Sequence, residues 1–548
     1  MERQSWRIAV AFLAAVLLPV VLVASPTTIT VLHVNDTHSH LDAFGYKDLR
    51  LEGTLGGLAK AARVIRAERE HDPNALLLHA GDVFVGDFFF NRTFGAFELG
   101  VLRSLGLDAL TLGNHEFDLG PGLLTQTLAN VPGGRPVVLS ANANTAGCAT
   151  ASCAPLQSWI QPSTILERGG VKIGVFGLTT PDDPTTQPSP VIIEGAGGAP
   201  AYPGGPPLVL LRAYQTAFAL RMAGAQVVIL LSHLGLRYDQ AIAANQPALP
   251  PPFSGPLISF IVGGHDHLVL EQPVVVGGTP IVSAGEFYKY VGRLRFTVDG
   301  PTVTFQDYAL LPVDREVRPD ATVQAQVDAL KRQIVAFYQE DVYRQVIGWA
   351  VRSIQRDPQA GSASRDSGMG NLIADSYRFK TGSDVALVAA GYVSDRIYAG
   401  PVVGADLFRT VPYGLDPVSY KDFPLVVFGL KGSELWKGVE MSLAYLGVTR
   451  SFFLEVSGMK YAYNSTNPVG SRLVELTVNG EPIDPDATYT VTANYIVAAI
   501  AQQFMKLQFE SFSMAGMTEY DALRDWVKHQ KVLWKESEGR ILDVAAQP

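Results

Sequence analysis

The chain has 548 residues, 47% of them hydrophobic and 17% charged, enough apolar material for sizeable buried cores and too much for a chain disordered throughout. At about 150 residues per domain, this length calls for at least two domains. Lysine and arginine number 43 against 52 aspartates and glutamates, a net charge of −9, so no basic field is available for a nucleic-acid backbone and no polymeric nucleic-acid partner is expected.

In chain order, Arg3 and Arg7 precede an uncharged apolar run over 8–24. The run is shorter than the roughly 20 residues that cross a bilayer and reads as an export signal, cut after Ala24 or Ser25. Leu22 is larger than the residue preferred three places before a cut at Ala24, so an uncut anchor, and with it a membrane association, is the alternative. From Thr27 to about Pro312, short β-rich runs alternate with helical segments. The runs include 29–34, 75–79, 109–112, 137–140, 171–178, 227–231 and 257–262, and the helices 57–69, with Lys60, Arg63 and Arg66 on a polar face, and 208–223. Continuous apolar strands in such an alternation predict a layered α/β domain whose strands are buried on both faces. Cys148 and Cys153, the only cysteines, lie five residues apart in a Gly/Ala/Ser-rich stretch and are expected to close a short disulfide loop in an oxidising compartment. The spacing of Val323, Val327, Leu330, Ile334 and Phe337 predicts one amphipathic helix over 319–341 that bridges two domains. A second α/β unit begins at about Val346.

Nine of the ten histidines fall between His33 and His267. Their company is polar and glycine-containing: Asn35-Asp36-Thr37-His38, Gly81-Asp82, Gly113-Asn114-His115-Glu116-Phe117-Asp118, Ser232-His233 and Gly263-Gly264-His265-Asp266-His267. Each cluster follows a strand-like run, and strand ends on one side of a parallel sheet converge. Asp36, His38, Asp82, Asn114, His233, His265 and His267 then offer a mixed carboxylate, amide and imidazole set suited to Zn, Mn, Fe or Co. Seven donors exceed one four-coordinate ion and suit two ions about 3.5–4 Å apart that share a carboxylate, a clamp for an in-line displacement. Of the others, His33 reads as packed, His79 as a group that orients a ligand, His40 as a neighbour of the site without a necessary role, and His71 and His529 as surface residues.

These clusters resemble the five blocks of the calcineurin-like metallophosphoesterases, in the form found in the exported 5′-nucleotidase family, and the resemblance continues through Ala284-Gly285-Glu286-Phe287-Tyr288-Lys289-Tyr290-Val291-Gly292-Arg293-Leu294 into the C-terminal part. It implies a signal peptide or anchor over 1–25, a four-layer catalytic sandwich over 26–315, a linking helix over 316–345 and a 5′-nucleotidase-type domain over 346–548 that closes over substrate. Carried over, one ion is held by Asp36, His38, Asp82 and His267, and the other by Asp82, Asn114, His233 and His265. His115 and Asp118 resemble the catalytic pair. An imidazole beside a ligand can hydrogen-bond a phosphoryl oxygen or protonate the leaving oxygen, and Asp118 can hold it charged and turned; a cap or ion-pair role is the plainer alternative for Asp118.

In the C-terminal part, Arg365 matches a substrate-binding arginine and Tyr413 the aromatic that stacks on a base; a surface ion pair and a packed core ring are their respective alternatives. The family's second arginine falls on Ser394, with Arg396 nearby, and the usual Gly-Gly-Asp-Gly-aromatic block is replaced by Ala498-Ala499-Ile500-Ala501-Gln502-Gln503. The resemblance implies a secreted, dinuclear-metal hydrolase that releases phosphate from small phosphomonoesters, nucleotides among the candidates. A sulfur-ester or thiosulfonate hydrolase acting on a carrier protein, and a non-enzymatic metal-stabilised binding protein, are the competing readings. Keeping both His115 and Asp118 argues against the last, since a structural cage needs neither.

Overall fold

A computed structural model describes residues 26–182, 189–195, 207–249, 254–446 and 449–546; the expected export segment lies outside the described residues. Two sheets pack face to face. The first runs Thr302–Pro312, Tyr290–Asp299, Thr27–Val34, Leu76–His79, Ala109–Thr111, Val138–Leu139, Ile160–Gln161 from edge to edge, and the second Val274–Val276, Thr279–Val282, Phe260–Gly263, Val227–His233, Val171–Thr179, Ser163–Arg168. The pleat explains the layering. In Val227–His233 every residue is buried: Val227, Ile229 and Leu231 face the space between the sheets with Val31, Leu78 and Phe296, while Val228 and Leu230 face outward onto Ala213, Ala217 and Leu220 of the helix Leu208–Met222. Successive side chains of a strand point to opposite faces, so a strand covered on both sides must be apolar throughout. Ala61, Ala62 and Ile65 of the helix Leu58–His71 cover the outer face of the first sheet at Leu32, Val34 and Leu77. The result is the expected helix–sheet–sheet–helix sandwich. Cys148 and Cys153 are joined.

The parallel registers align the strand exits. Val34 pairs with His79, His79 with Leu110, and Ser232 with Gly263, so the loops that follow these strands emerge on one edge of the sandwich.

The bridging helix is Ala321–Tyr338. Asp320 caps it by accepting from Thr322 N and Val323 N, and Gln339, at a left-handed φ of 54°, ends it. Val323, Val327, Leu330 and Ile334 are buried as the periodicity predicts. Phe337 departs from that stripe at 47% exposure, because at the helix's last turn it packs edge-on to Tyr338 and Tyr420 under the Arg92 guanidinium. Beyond it lies the second α/β unit. Its central sheet runs Leu454–Ser457, Val385–Ala389, Thr488–Asn494, Pro424–Lys431, Phe509–Thr518. Helices Gly368–Thr381 and Glu519–Gln530 pack on one face, started by the Ser367 cap and by a Thr518–Asp521 capping box.

One apolar cluster extends from the first unit into the second. Phe88 stacks on Phe408 at 3.9 Å and meets Tyr520 edge-on at 5.3 Å. Beside these rings, Arg409 donates to Asp87 at 2.6 Å, both side chains being almost fully buried, and Lys47 holds Asp406 at 2.5 Å. Burial works against the Arg409 charge, but Asp87 and Asp406 outweigh it and raise its pKa. Replacing Arg409 by Met leaves the Asp87 carboxylate buried without its partner, which costs about 3–5 kcal/mol. Denaturant titration should show that loss in Arg409→Met and recovery of most of it in Arg409→Met/Asp87→Leu; equal stabilities for the parent and the single variant would contradict the assignment.

Candidate metal centre

The loops at the aligned strand exits carry the histidine-rich clusters, and their backbone is unusual. Asp36, His38, Asp82, His265 and His267 all have positive φ, between 46° and 79°. Asp and His tolerate this region better than most residues, yet it costs on the order of 1 kcal/mol or more at each position, and such strain persists where the surroundings over-determine it. Here the surroundings are backbone hydrogen bonds between the loops, Asp36 N to Gly81 O at 2.9 Å, His38 N to Asp82 O at 3.1 Å and Phe287 N to Asp36 O at 2.8 Å. Gly113 is required by space alone, since a Cβ there would lie 2.0 Å from Asp82 Oδ1 and 2.7 Å from His233 Nε2.

The side chains converge in adjoining groups. Asp36, His38 and His267 present donor atoms within 4.8 Å of one another, as do Asp82, His233 and His265, and as do His38, Asp82 and His115. Asp82 reaches across, 2.9 Å from His233 Nε2 and 3.7 Å from His38 Nε2. Asn114 Oδ1 stands 3.2 Å from His265 Nδ1. All seven residues singled out from the sequence are therefore neighbours. The tautomers follow from the outer partners. His38 Nδ1 donates to Phe84 O at 3.0 Å, His233 Nδ1 to Ala80 O at 2.7 Å and His267 Nδ1 to a Glu286 oxygen at 2.5 Å, so in each neutral ring the Nε2 lone pair faces the centre. Burial pushes His38 down to about 3, which keeps it neutral. Yet His38 Nε2 and His267 Nε2 face each other at 3.1 Å. A proton or a metal cation between them joins the two nitrogens, and the Asp36 and Glu286 carboxylates beside His267 favour positive charge there. The donor set thus fits divalent metal ions bound through N and O.

Together with His79, groups not singled out for a role in the sequence hold these donors in place. Glu116 accepts from four backbone N–H groups, those of Val83 and Phe84 on one oxygen and of Asp82 and Gly113 on the other, and so ties the Asp82 loop to the Gly113 turn. Asn35 donates to Asp36 Oδ2 at 2.7 Å and to Gly285 O at 2.6 Å. Glu286 lies in the segment that carries the family resemblance, but only the fold shows that it grips His267. Against the effect of burial, Lys289 and His267 hold the Glu286 carboxyl well below its ordinary range. His79 accepts from Gly81 N on Nδ1, and its Nε2 donates to Thr37 Oγ1 at 3.0 Å, linking two ligand loops. His33 is packed against Tyr308, His40 is stacked on Phe287 at 3.8 Å, and His71 and His529 are at the surface.

His115 faces the same centre. Its Nδ1 donates to Asp118 Oδ2 at 2.7 Å. Burial lowers its pKa, but the Asp118 and Asp82 carboxylates prevail and raise it well above the ordinary imidazole value. Tyr413, from the second unit, covers it as a stacked ring at 5.2 Å, with Tyr392 edge-on to Tyr413 at 5.8 Å. Arg365 is set elsewhere. Its backbone N donates to Ile541 O and its guanidinium lies 3.7 Å from Asp543, because its segment runs along the C-terminal strand. Arg396 reaches Gln355 Oε1 at 3.0 Å.

Comparison with known proteins agrees across nearly the whole chain. Residues 29–269 match the family model of the calcineurin-like phosphoesterases and residues 346–508 that of the 5′-nucleotidase C-terminal domain. The solved structure of a 5′-nucleotidase precursor from Thermus thermophilus is 30% identical with a TM-score of 0.78, over 95% of this chain and 100% of that one. A 5′-nucleotidase of Diplobatis ommata is 27% identical over 95% of this chain and 91% of its own length. A trifunctional nucleotide phosphoesterase protein of Bacillus subtilis is 27% identical over 94% of this chain, which spans 35% of that longer protein.

Two substitutions check the construction of the centre. Gly113→Ala forces Asp82 and His233 aside, and Glu286→Gln removes the anionic grip on His267. Losing a partner that orients a ligand typically costs about 10–100-fold in metal affinity, and both variants should show it in competitive chelator titrations while retaining the far-ultraviolet circular dichroism of the parent. Unchanged affinity in Gly113→Ala would mean that the close approach to Asp82 does not exist in solution.

Proposed function

This chain belongs to the two-domain 5′-nucleotidase family of calcineurin-like phosphoesterases, and from that membership we propose that it releases inorganic phosphate from small phosphomonoesters, nucleotides among them, at a centre that holds two divalent ions. The chain is a metal-dependent phosphoric ester hydrolase. The observation that carries the finer reading is the Asp82 carboxylate shared between adjoining donor groups, with the His115–Asp118 couple beside it. In this reading Asp36, His38, Asp82 and His267 hold one ion, and Asp82, Asn114, His233 and His265 the other.

Two ions bound there would activate water and offset the charge of the phosphoryl oxygens. The remaining work falls to the chain's own residues. As the bond from phosphorus to the leaving oxygen breaks, His115 Nε2–H donates its proton to that oxygen, while Asp118 keeps Nδ1–H engaged and the imidazolium correctly turned. Tyr413 closes the centre from above, excludes water and offers one aromatic face to the leaving group. With no Gly-Gly-Asp-Gly block to supply ribose contacts, preference for one nucleoside monophosphate over a simple phosphate ester should be shallow.

Export is part of the proposal, supported by Arg3, Arg7 and the apolar run over 8–24 and by the Cys148–Cys153 disulfide, a bond that persists in oxidising compartments. Among the described residues no helix is long and apolar enough to cross a membrane. N-terminal sequencing of protein recovered outside the cytoplasm should begin at Ser25 or Pro26; a start at Met1 would identify an anchor.

Phosphate release should be measured over a panel of nucleotides, simple monoesters and diesters, with Mn, Zn and Co added separately. Exhaustive chelation should abolish turnover. His115→Asn should bind metal normally yet turn over about 10²–10⁴-fold more slowly on an ester with a poor leaving group, the contribution of one positioned acid, and Asp118→Asn should show a smaller defect. Full activity in verified metal-free protein, or near-parental kcat in His115→Asn, would overturn this assignment.

A further inference from the structure

We propose that the solvent face of a small sheet in the C-terminal unit docks this protein on a bilayer of anionic phospholipids, with Trp349 and Trp534 entering the headgroup layer and Lys528 and Lys531 lying against its phosphates.

The sheet has three strands, in the order Gly400–Val403, Val346–Ala350, Val532–Leu533. The last two run parallel, with Trp349 beside Val532 and Ala350 beside Leu533, and the pairing carries on at Val351, whose N donates to Leu533 O at 3.0 Å. Side chains along a strand alternate between faces. Ala350 and Leu533 belong to the apolar core, so Trp349, Val351, Val532 and Trp534 share the opposite face. Trp349 is 53% exposed and Trp534 62%, and both valines are more than half exposed. Single apolar residues are ordinary on a surface, but a contiguous group of this size marks a place of interaction.

Cations border the face. The helix Glu519–Gln530 is pressed against the sheet where a Cβ on Gly348 would lie 2.7 Å from Val527 Cγ1. Just past the helix, Lys531 takes a left-handed φ of 61°, and its carbonyl accepts from Trp349 N at 2.8 Å. Lys528 and Lys531 thereby reach the rim, where with Gln345, Val346 and Trp349 they line an open depression of about 450 Å³, roomy enough for a phosphate headgroup. Arg352 lies over the Trp534 ring at 5.0 Å and pairs with Glu536. Lys528 is shared with Glu340 at 3.0 Å, whereas Lys531 has no carboxylate partner among the described residues.

The charge and the residue types select the occupant. The chain as a whole carries a net charge of −9, so a cationic rim around an apolar face is a local departure, and its complement is anionic. Protein–protein interfaces enrich tryptophan but deplete lysine. Tryptophans set among lysines suit a membrane surface, where indole rings sit at headgroup level and each basic side chain adds attraction to an anionic leaflet.

The test uses the protein as recovered outside the cytoplasm. It is mixed with vesicles of phosphatidylcholine alone or of equimolar phosphatidylcholine and phosphatidylglycerol. Binding is read by cosedimentation and by quenching of tryptophan fluorescence with lipid brominated in its acyl chains. The parent should bind the anionic vesicles, be quenched there, and come off at high salt, while ignoring the neutral ones. Lys528→Gln/Lys531→Gln should bind about 10–30-fold more weakly. Trp349→Ser/Trp534→Ser should lose the quenching and most of the binding, and both variants should keep the far-ultraviolet circular dichroism of the parent. Phe512→Ser, which alters an exposed ring on the strand Phe509–Thr518, should bind as the parent does. No binding of the parent to anionic vesicles, equal binding to neutral ones, or parental binding in both double variants would overturn the inference. Dimers that the parent forms and the tryptophan variant loses, without vesicle binding, would also overturn it and give the face to a second copy of the chain.

Discussion

Carboxylate oxygens and imidazole nitrogens packed against one another in a buried space need a proton or a cation between them, and the rest of the structure is arranged to hold them there. His38 and His267 present Nε2 atoms 3.1 Å apart, and Asp82 stands within 4 Å of two imidazoles. Left to relax, such donors would turn towards solvent. They are prevented by Nδ1 bonds to Phe84 O, Ala80 O and Glu286, and by five left-handed ligand residues whose strain the loop-to-loop hydrogen bonds sustain. Bound cations would take the place of those protons, so metal affinity and the local rigidity of these loops are two aspects of one arrangement.

The sandwich supplies that rigidity. Strands buried on both faces cannot shift register without exposing apolar side chains on one side and opening gaps on the other. The parallel pairings therefore fix where each loop leaves the sheet, and Glu116, by accepting from four backbone N–H groups, locks two of those exits to each other. A carboxylate in that role cannot be exchanged for an amide, whose NH2 would face further donors.

The second unit takes part in the chemistry through contact with the first. A continuous apolar cluster, the Phe88–Phe408 stack and the buried Arg409–Asp87 pair fix its orientation. That orientation brings Tyr413 over His115. Specificity is consequently a property of the junction between the units, where residues separated by some 300 positions in the chain share one small volume.

Much of this was legible in the sequence. Alternating apolar runs and helical segments, the stripe of Val323, Val327, Leu330 and Ile334, and the five polar clusters after strand-like runs express local chemistry: a two-sided strand must be apolar, a packed helix must repeat at its own period, and metal donors are few in kind. The family resemblance rested on those same residues. Helix ends were less legible, as Phe337 illustrates, since a side chain in the last turn takes its surroundings from whatever lies beyond. Glu116 and Glu286 appear in the sequence as ordinary acids, and their roles exist only because backbone N–H groups and a histidine arrive from distant segments. Arg365 marks the boundary most clearly. Motif position favoured it, but the direction of a guanidinium is set by the strand against which its segment is pinned. Pairing along the C-terminal strand set Arg365 towards Asp543. Residue type and spacing determined which donors the chain possesses; only the tertiary contacts decided which way the long, flexible side chains point.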